Sequence, residues 1–138
     1  MLNHIFVCLT QYKDKYTTIQ MKMFFKLLIA TGMRRGEACA LMWEDIDFDK
    51  QTIFIHRAVF YSENKEIIVK PPKTKSSIRK IALSQELLEM LQEYKKWQEG
   101  EKEFYGDSWE DLNLVFTNKN GGFIHPDVPT TAFDRFLK

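Results

Sequence analysis

Apolar positions recur along this chain with more than one spacing, and each spacing predicts a different kind of element. Residues 17–31 carry eight large apolar side chains around a stripe of two lysines four residues apart, which predicts a helix buried on nearly all sides. Residues 85–99 instead place leucines and aromatic residues on one face and acidic residues on the other, the pattern of an amphipathic helix. Two further helices are predicted over residues 34–42 and 129–138.

Small and polar residues mark the ends of the two longer helices. Gly32 is placed to end the first helix, because glycine readily takes the left-handed conformation that follows a helix. Ser84 is placed to cap the acidic helix at its start. Either Gly100 or Gly106 could end that helix, and the sequence does not choose between them.

The stretch from residue 52 to residue 83 is rich in β-branched and aromatic residues and is interrupted by two polar turns. Short connections favour antiparallel pairing, and the turn Lys73–Ser77 is expected to project from the sheet. The predicted strands are residues 52–61, 66–70, 78–83 and, further along, 114–116. The chain therefore predicts an α+β fold, mostly helical with a three-stranded antiparallel sheet, in a single domain over residues 1–138.

The charge of the chain is unevenly distributed. At 138 residues, 44% hydrophobic and 14% aromatic, the chain can bury a core, and its composition argues against disorder. The net charge is only +1, but residues 65–80 carry six lysines or arginines and one acid, whereas residues 84–111 carry nine acids and three lysines. The basic segment, at +5, predicts contact with a polyanion.

Several kinds of site are not predicted. Cys8 and Cys39 are too few for a disulfide framework, and we expect both to be reduced, buried thiols. His4, His56 and His125 lack the spacing of metal ligands, so neither a metal site nor a cofactor is expected. No apolar run approaches the length of a membrane span. The chain is therefore expected to be a cytoplasmic protein without a membrane partner.

The first informative motif lies between two predicted helices. It reads Thr-Gly-Met-Arg-Arg-Gly-Glu-Ala-Cys-Ala-Leu over residues 31–41 and is followed by Trp-Glu-Asp-Ile-Asp over residues 43–47. Arg34 and Glu37 stand three residues apart at the start of a short helix, so they can touch. An arginine suits the binding of a phosphodiester, because its rigid, permanently charged fork can hold two phosphate oxygens.

The second motif is the basic turn about forty residues further on. It reads Lys-Pro-Pro-Lys-Thr-Lys-Ser-Ser-Ile-Arg-Lys over residues 70–80, between two predicted strands. A lysine on such a turn can donate a proton to a leaving oxygen when neighbouring cations and desolvation lower its pKa. The centre of this turn carries two lysines, Lys73 and Lys75.

Together the two motifs resemble the tyrosine recombinases, the phage integrase family, over roughly residues 10–138. The sequence of the basic turn is most similar to that of integrases of conjugative transposons and temperate phages. The resemblance implies breaking and rejoining of double-stranded DNA through a 3′-phosphotyrosine, without metal or nucleotide. It implies that Arg34 is the first catalytic arginine and that Glu37 supports the site. It also implies that Lys73, or as an alternative Lys75, donates a proton to the 5′-hydroxyl leaving group.

DNA contacts are expected from the remaining basic and hydroxyl residues of both motifs. The resemblance implies a tetramer on DNA for a complete family protein, and self-association of this chain is possible. The residues expected to bind DNA are Arg35, Lys70, Thr74, Lys75, Arg79 and Lys80.

The sequence departs from the family after the second motif. No His-x-x-Arg box, no further histidine or tryptophan motif and no C-terminal tyrosine nucleophile is present. The five tyrosines all lie upstream of the position expected for the nucleophile, namely Tyr12, Tyr16, Tyr61, Tyr94 and Tyr105. We therefore expect a partial catalytic domain that does not cleave DNA by itself.

Two other classes of function compete with this interpretation. Residues 19–42 could form a helix-turn-helix of a non-catalytic DNA-binding module, since Gly32 and Met33 permit a turn between two helices. The acidic helix over residues 85–99 could instead dock a protein partner. Against the first alternative, the arginines sit at the turn rather than along a recognition helix.

Overall fold

A computed structural model describes residues 15–64, 66–72, 74–125 and 127–128, with side chains from residue 19 onward. The predicted helix over residues 129–138 and the predicted buried thiol of Cys8 lie outside the described residues. The helices are α1 (Lys15–Thr31), α2 (Arg35–Cys39) and α3 (Gln85–Tyr105). The strands are β1 (Ile46–Asp47), β2 (Thr52–Ile55), β3 (Ala58–Tyr61), β4 (Ile67–Lys70) and β5 (Arg79–Ala82). Single turns of 3-10 helix span Trp43–Asp45, Lys75–Ser77 and Gly106–Ser108.

The core forms where α1 meets α3. Phe24 and Leu27 of α1 and Leu91 of α3 are fully buried, and Phe24 packs edge-on against Phe116 with ring centroids 4.9 Å apart. Residues of α1 are buried on most sides, as the predicted pattern requires. The predicted α+β fold, mostly helical with small antiparallel sheets, is confirmed.

The helix ends follow the sequence signals in most places. Gly32 takes a φ of 71° directly after α1, and the Ser84 hydroxyl accepts the N–H of Leu87 at 3.2 Å, so both predicted caps are present. Helix α3 extends six residues past the predicted range 85–99 and ends at the second of the two predicted glycines. It passes through Gly100 and stops at Gly106, which has a φ of 54°.

The prediction of one long strand over residues 52–61 is wrong. The chain leaves the extended ladder at His56 and Arg57, so that β2 and β3 enter different sheets. The larger sheet is three-stranded, in the order β1-β2-β5, and the smaller is the β3-β4 hairpin. All pairings are antiparallel, as predicted, but the third strand of the larger sheet is the short β1 rather than β4.

A buried carboxylate explains this break. Asp45 accepts hydrogen bonds from both terminal nitrogens of Arg57, at 3.1 and 3.2 Å, and from the N–H of Met42 at 3.0 Å. The Nε2 atom of His56 lies 2.8 Å from the same carboxylate. Because both residues of the break turn toward Asp45, the strand cannot continue in one sheet through them. We call the contact of Asp45 with His56 and Arg57, where the two sheets meet, the Asp45 corner.

The predicted strand over residues 114–116 is not formed: the segment is buried, makes one β-bridge from Leu114 to Met42, and bends at the two residues that follow. Side-chain amides and a phenol hold it instead of a ladder. Gln20 of α1 donates to the carbonyl of Thr117 and accepts its N–H, both at 2.8 Å. From α3, Tyr94 donates to the carbonyl of Val115 at 2.7 Å, and Gln98 donates to the carbonyls of Leu114 and Val115.

None of the helices in the described part of the chain is long and apolar enough to cross a membrane.

Candidate functional site

The end of α1 and the start of α2 place Arg34 at the surface. Met33 is 5% exposed and anchors the connection in the core, while Arg34 follows in an extended conformation with an exposed side chain. Helix α2 is shorter than predicted, five residues instead of nine, and Arg34 is the residue before its first turn. The guanidinium is therefore presented from a backbone fixed on both sides.

Glu37 supports the backbone of Arg34. Its Oε1 atom accepts the N–H of Arg34 at 2.8 Å, and the residue is only 3% exposed. The predicted contact between these two residues therefore exists, but it runs from a backbone N–H to the carboxylate. A buried carboxylate requires partners for its remaining lone pairs.

Arg79 supplies those partners from the other motif. Its two terminal nitrogens donate to the two carboxylate oxygens of Glu37 at 3.0 and 3.2 Å, and one of them also donates to the carbonyl of Ser77 at 2.7 Å. The structure thus brings a residue predicted to bind DNA onto the carboxylate that supports Arg34. Glu37 and Arg79, which are 42 residues apart in the sequence, thus join the two motifs.

Gly36 allows α2 to lie directly on β3. A Cβ atom at this position would be 2.7 Å from the carbonyl oxygen of Val59, closer than such atoms approach. Sequence reasoning did not single out Gly36, although a glycine inside a helix that starts at an arginine was a usable signal. This close contact closes one wall of a groove with a volume of about 330 Å³. The groove is lined by Arg34, Arg35, Gly36, Glu37, Ala58, Val59, Phe60 and Pro72.

The basic turn begins at the edge of this groove. Pro72 lines the groove and is the residue directly before Lys73, which itself lies outside the described residues. The following Lys75–Ser77 turn is fixed by short polar contacts, including 2.7 Å between the hydroxyls of Thr74 and Ser77. Lys75 is exposed on this turn, and its side chain has no hydrogen-bond or ion-pair partner among the described residues.

The other predicted DNA-binding residues are spread over a wider surface. Arg35 lines the groove and lies 3.8 Å from Asp127, and Lys70 is exposed at the end of β4 above the ring of Phe60. Lys80 is exposed over Phe54. Because neighbouring side chains of a strand point to opposite faces, Lys80 lies on the face of β5 away from Arg79. The structure therefore groups Arg34 and Arg35 in the groove and leaves Lys80 apart.

The described residues contain no cluster of histidine, cysteine or acidic side chains able to hold a metal ion. Cys39 is the buried last residue of α2, and burial raises the pKa of its thiol to about 12, while Arg35 acts in the opposite direction. It is an unreactive core residue rather than a nucleophile.

The helix-turn-helix alternative does not fit the geometry. Helix α2 has five residues, and Glu37, Ala38 and Cys39 among them are buried. A recognition helix needs an exposed face long enough to enter the major groove, and α2 offers none.

Comparison with known proteins supports the same interpretation. The sequence profile of the phage integrase family matches residues 6–138. The chain is 34% identical over 119 residues to the ICEBs1 integrase of Bacillus subtilis (strain 168), an alignment of 85% of this chain and 30% of that protein. It is 32% identical over 129 residues to a XerC-like tyrosine recombinase of Caldanaerobacter subterraneus subsp. tengcongensis, covering 86% of this chain and 33% of that protein.

Solved structures of recombinases share the fold. The Tn1549 transposon integrase, solved in complex with circular intermediate DNA, superposes with a TM-score of 0.73 at 20% identity, over 98% of this chain and 42% of that one. The XerA recombinase superposes with a TM-score of 0.64 at 14% identity, over 98% of this chain and 39% of that one.

The family profile and the curated relatives identify the chain as a catalytic-domain region of the tyrosine recombinase class. The chain belongs to the phage integrase family. It spans about a third of the length of the curated relatives that it matches.

Proposed function

We propose that this chain is the part of a tyrosine recombinase catalytic domain that binds the scissile phosphate of double-stranded DNA. In the complete protein this part would serve site-specific recombination or integration, with strand breakage and rejoining through a 3′-phosphotyrosine. Such a protein would act in the cytoplasm, as a tetramer on its DNA, without a metal or nucleotide cofactor. The roles proposed for Arg34 and for Lys73 or Lys75 are phosphate binding and protonation of the leaving 5′-oxygen.

One observation carries this proposal. The groove beside α2 contains the guanidinium-bearing residues Arg34 and Arg35 and is bounded by Pro72, at the start of the basic turn. A phosphodiester in this groove would meet the two arginines, and the basic turn begins at the edge of the groove. This is the arrangement that stabilises charge on a phosphoryl group during transfer. It also matches the expectation that the two motifs act together.

The first experiment measures DNA binding as a function of salt. The chain is titrated with a labelled duplex, and log K is plotted against log salt concentration. Each phosphate contact should contribute about −0.9 to the slope. Charge reversal at Lys75 together with Lys70 should weaken binding and flatten the slope. Both side chains are exposed, so these changes should leave the fold intact.

The matched control is Lys96→Glu. Lys96 is an exposed lysine of the acidic helix α3, remote in sequence from both motifs, so its reversal changes the charge in the same direction without entering the groove. We expect its slope to equal that of the unchanged chain. Equal effects per reversed charge at the basic turn and at Lys96 would mean that binding follows net charge and that the basic turn is not the DNA surface.

The second experiment asks whether the chain forms a covalent adduct. Tyr94 is 4% exposed and its hydroxyl is committed to Gln20 and Val115, so it cannot attack a phosphate. Incubation with a nicked suicide substrate, followed by a denaturing gel, should give no protein–DNA adduct. An adduct that peptide mapping assigns to any of the five tyrosines would show that the nucleophile has been misplaced.

A further inference from the structure

The ion pair between Arg79 and Glu37 has a geometry that a phosphate-binding arginine would lack. Three hydrogen bonds from Arg79 go to protein oxygens, two to the Glu37 carboxylate and one to the Ser77 carbonyl. The side chain is 31% exposed, whereas that of Glu37 is 2% exposed. If Arg79 turned outward to a phosphate, it would leave a buried carboxylate without its counter-ion, which is strongly unfavourable.

Each contact of this pair reaches a different part of the candidate site. Through Glu37, Arg79 acts on the N–H of Arg34, which the same carboxylate accepts at 2.8 Å. Through the carbonyl of Ser77, Arg79 holds the last residue of the Lys75–Ser77 turn. One guanidinium therefore touches both the support of the arginine and the end of the basic turn.

We infer that Arg79 is a positioning residue, which fixes Arg34 relative to the basic turn by means of Glu37 and does not itself bind DNA. This inference rests on the proposed function for its consequence, since what is being positioned is the phosphate-binding arginine. A lysine cannot replace Arg79, because a single ammonium group cannot span both carboxylate oxygens and the Ser77 carbonyl in a planar fork.

Two variants of Arg79 separate positioning from direct DNA contact. Arg79→Gln removes the charge, and Arg79→Lys retains it but removes the fork. If Arg79 bound a phosphate directly, Arg79→Lys would still offer it a cation, so the salt slope would stay near that of the unchanged chain and more affinity would remain than in Arg79→Gln. Positioning predicts that Arg79→Lys loses affinity about as much as Arg79→Gln, because neither residue can hold Glu37.

A readout without DNA tests the same inference independently. Amide hydrogen exchange measured by NMR reports whether the N–H of Arg34 still has its acceptor. We expect its exchange to accelerate at least about tenfold in both Arg79 variants, since a hydrogen bond to a fixed carboxylate is lost. Lys80→Gln is the matched control for this readout. It removes a charge from the next residue of β5, on the opposite face, and should leave the Arg34 amide unchanged.

Non-additivity with Arg34 completes the test. If Arg79 acts through Arg34, then Arg79→Gln should cost no further affinity in an Arg34→Ala background, and the salt slope should stay the same. A direct phosphate contact would instead lower the slope by about 0.9 in both backgrounds. Should Arg79→Gln fail to fold, the neutral pair Glu37→Gln with Arg79→Gln removes the unpaired buried charge and is used in its place.

The results of these experiments distinguish a failure of the positioning role from a failure of the proposed function. An Arg34 amide as protected in the Arg79 variants as in the unchanged chain, or full DNA affinity in Arg79→Lys, would overturn the positioning role. Absence of DNA binding by the unchanged chain would instead contradict the proposed function. In that case the exchange of the Arg34 amide would still decide whether Arg79 positions it.

Discussion

The two sheets of this protein are built from similar sequences and have different physical roles. In β2, Ile53 and Ile55 are 0% and 2% exposed, because this strand lies between β1 and β5 and one face covers the core. In β4, Ile67, Ile68 and Val69 are 38%, 41% and 37% exposed, since the hairpin is only two strands wide. The same β-branched residues are core in one sheet and surface in the other.

The difference shows what holds each sheet in place. The three-stranded sheet is held by apolar burial, and its strand β5 also carries Arg79 to Glu37. The hairpin is attached through β3, where Ala58 and Val59 are buried and Gly36 contacts the Val59 carbonyl. A two-stranded hairpin is marginal alone, so its order depends on these few contacts and on the Asp45 corner that joins the sheets.

The largest effect is expected at the Asp45 corner. Asp45→Ala leaves Arg57 without its carboxylate and the N–H of Met42 without its acceptor, in a site where the Asp45 side chain is 4% exposed. Breaking such a buried pair should lower the free energy of unfolding by about 3–5 kcal/mol. Urea unfolding followed by circular dichroism measures it. Asp49→Ala, at an exposed position in the next turn, should change it by less than about 0.5 kcal/mol. Equal losses would mean that the corner does not hold the sheets together.

The comparison between the sheets is sharpened by one substitution made in each. Ile53→Ala in β2 should cost about 2–5 kcal/mol, because it opens a cavity in the core. Ile68→Ala in β4 deletes the same atoms from a residue that is 41% exposed and should cost less than about 1 kcal/mol. Chemical denaturation of both variants measures the loss in free energy of unfolding that each substitution causes. A loss at Ile68 as large as that at Ile53 would mean that the exposed face of the hairpin is covered in solution.

A third test addresses how the hairpin is attached. Gly36→Ala places a methyl group against the Val59 carbonyl, so α2 and β3 must separate, at a cost of about 1–3 kcal/mol. Amide exchange should rise mainly in β3 and β4. The matched change is Gly100→Ala in α3, where nothing lies within 4 Å of the added atom. It should stabilise the chain by about 0.5–1 kcal/mol, because alanine favours a helix interior. Destabilisation at Gly100 would contradict the helical environment described for it.

The smallest effect concerns reactivity rather than stability. With its pKa raised to about 12 by burial, Cys39 should remain a neutral thiol at pH 8, with a thiolate fraction of about one in ten thousand. A Cys8→Ser variant isolates this thiol for alkylation with iodoacetamide. Labelling should be negligible in the native chain and complete in urea. Fast native labelling would show that the core around the end of α2 opens readily.

Particular elements show how much of the structure could be predicted from the sequence. Helices α1 and α3 and their caps at Gly32 and Ser84 were predictable, because periodicity and capping are local properties. The two motifs were also identified from the sequence, and the fold and family are confirmed by the structure and by the known recombinases. The roles of Arg34 and Lys73 remain predictions.

The rest depended on contacts between distant residues. The strand predicted over residues 52–61 breaks because Arg57 and His56 turn to Asp45. No local pattern in the strand predicts this contact. The partner of Arg79 is 42 residues away, so no local pattern could predict this ion pair, and the DNA contact expected of Arg79 stays a prediction. The apolar run over residues 114–116 predicted a strand, but its carbonyls pair with side chains of distant residues and it makes only one β-bridge.

The buried segment 114–117 shows what side-chain hydrogen bonds can do where a sheet is lacking. Gln20 contacts both the N–H and the carbonyl of Thr117. Tyr94 and Gln98 donate hydrogen bonds to the carbonyl of Val115, and Gln98 also donates to that of Leu114. Sliding the segment by one residue would separate all of these donors and acceptors at once inside the core, whereas apolar contacts alone would tolerate the shift. The amides therefore set an alignment for the chain. The turn over residues 118–122 consequently leaves the core at a fixed position relative to both long helices.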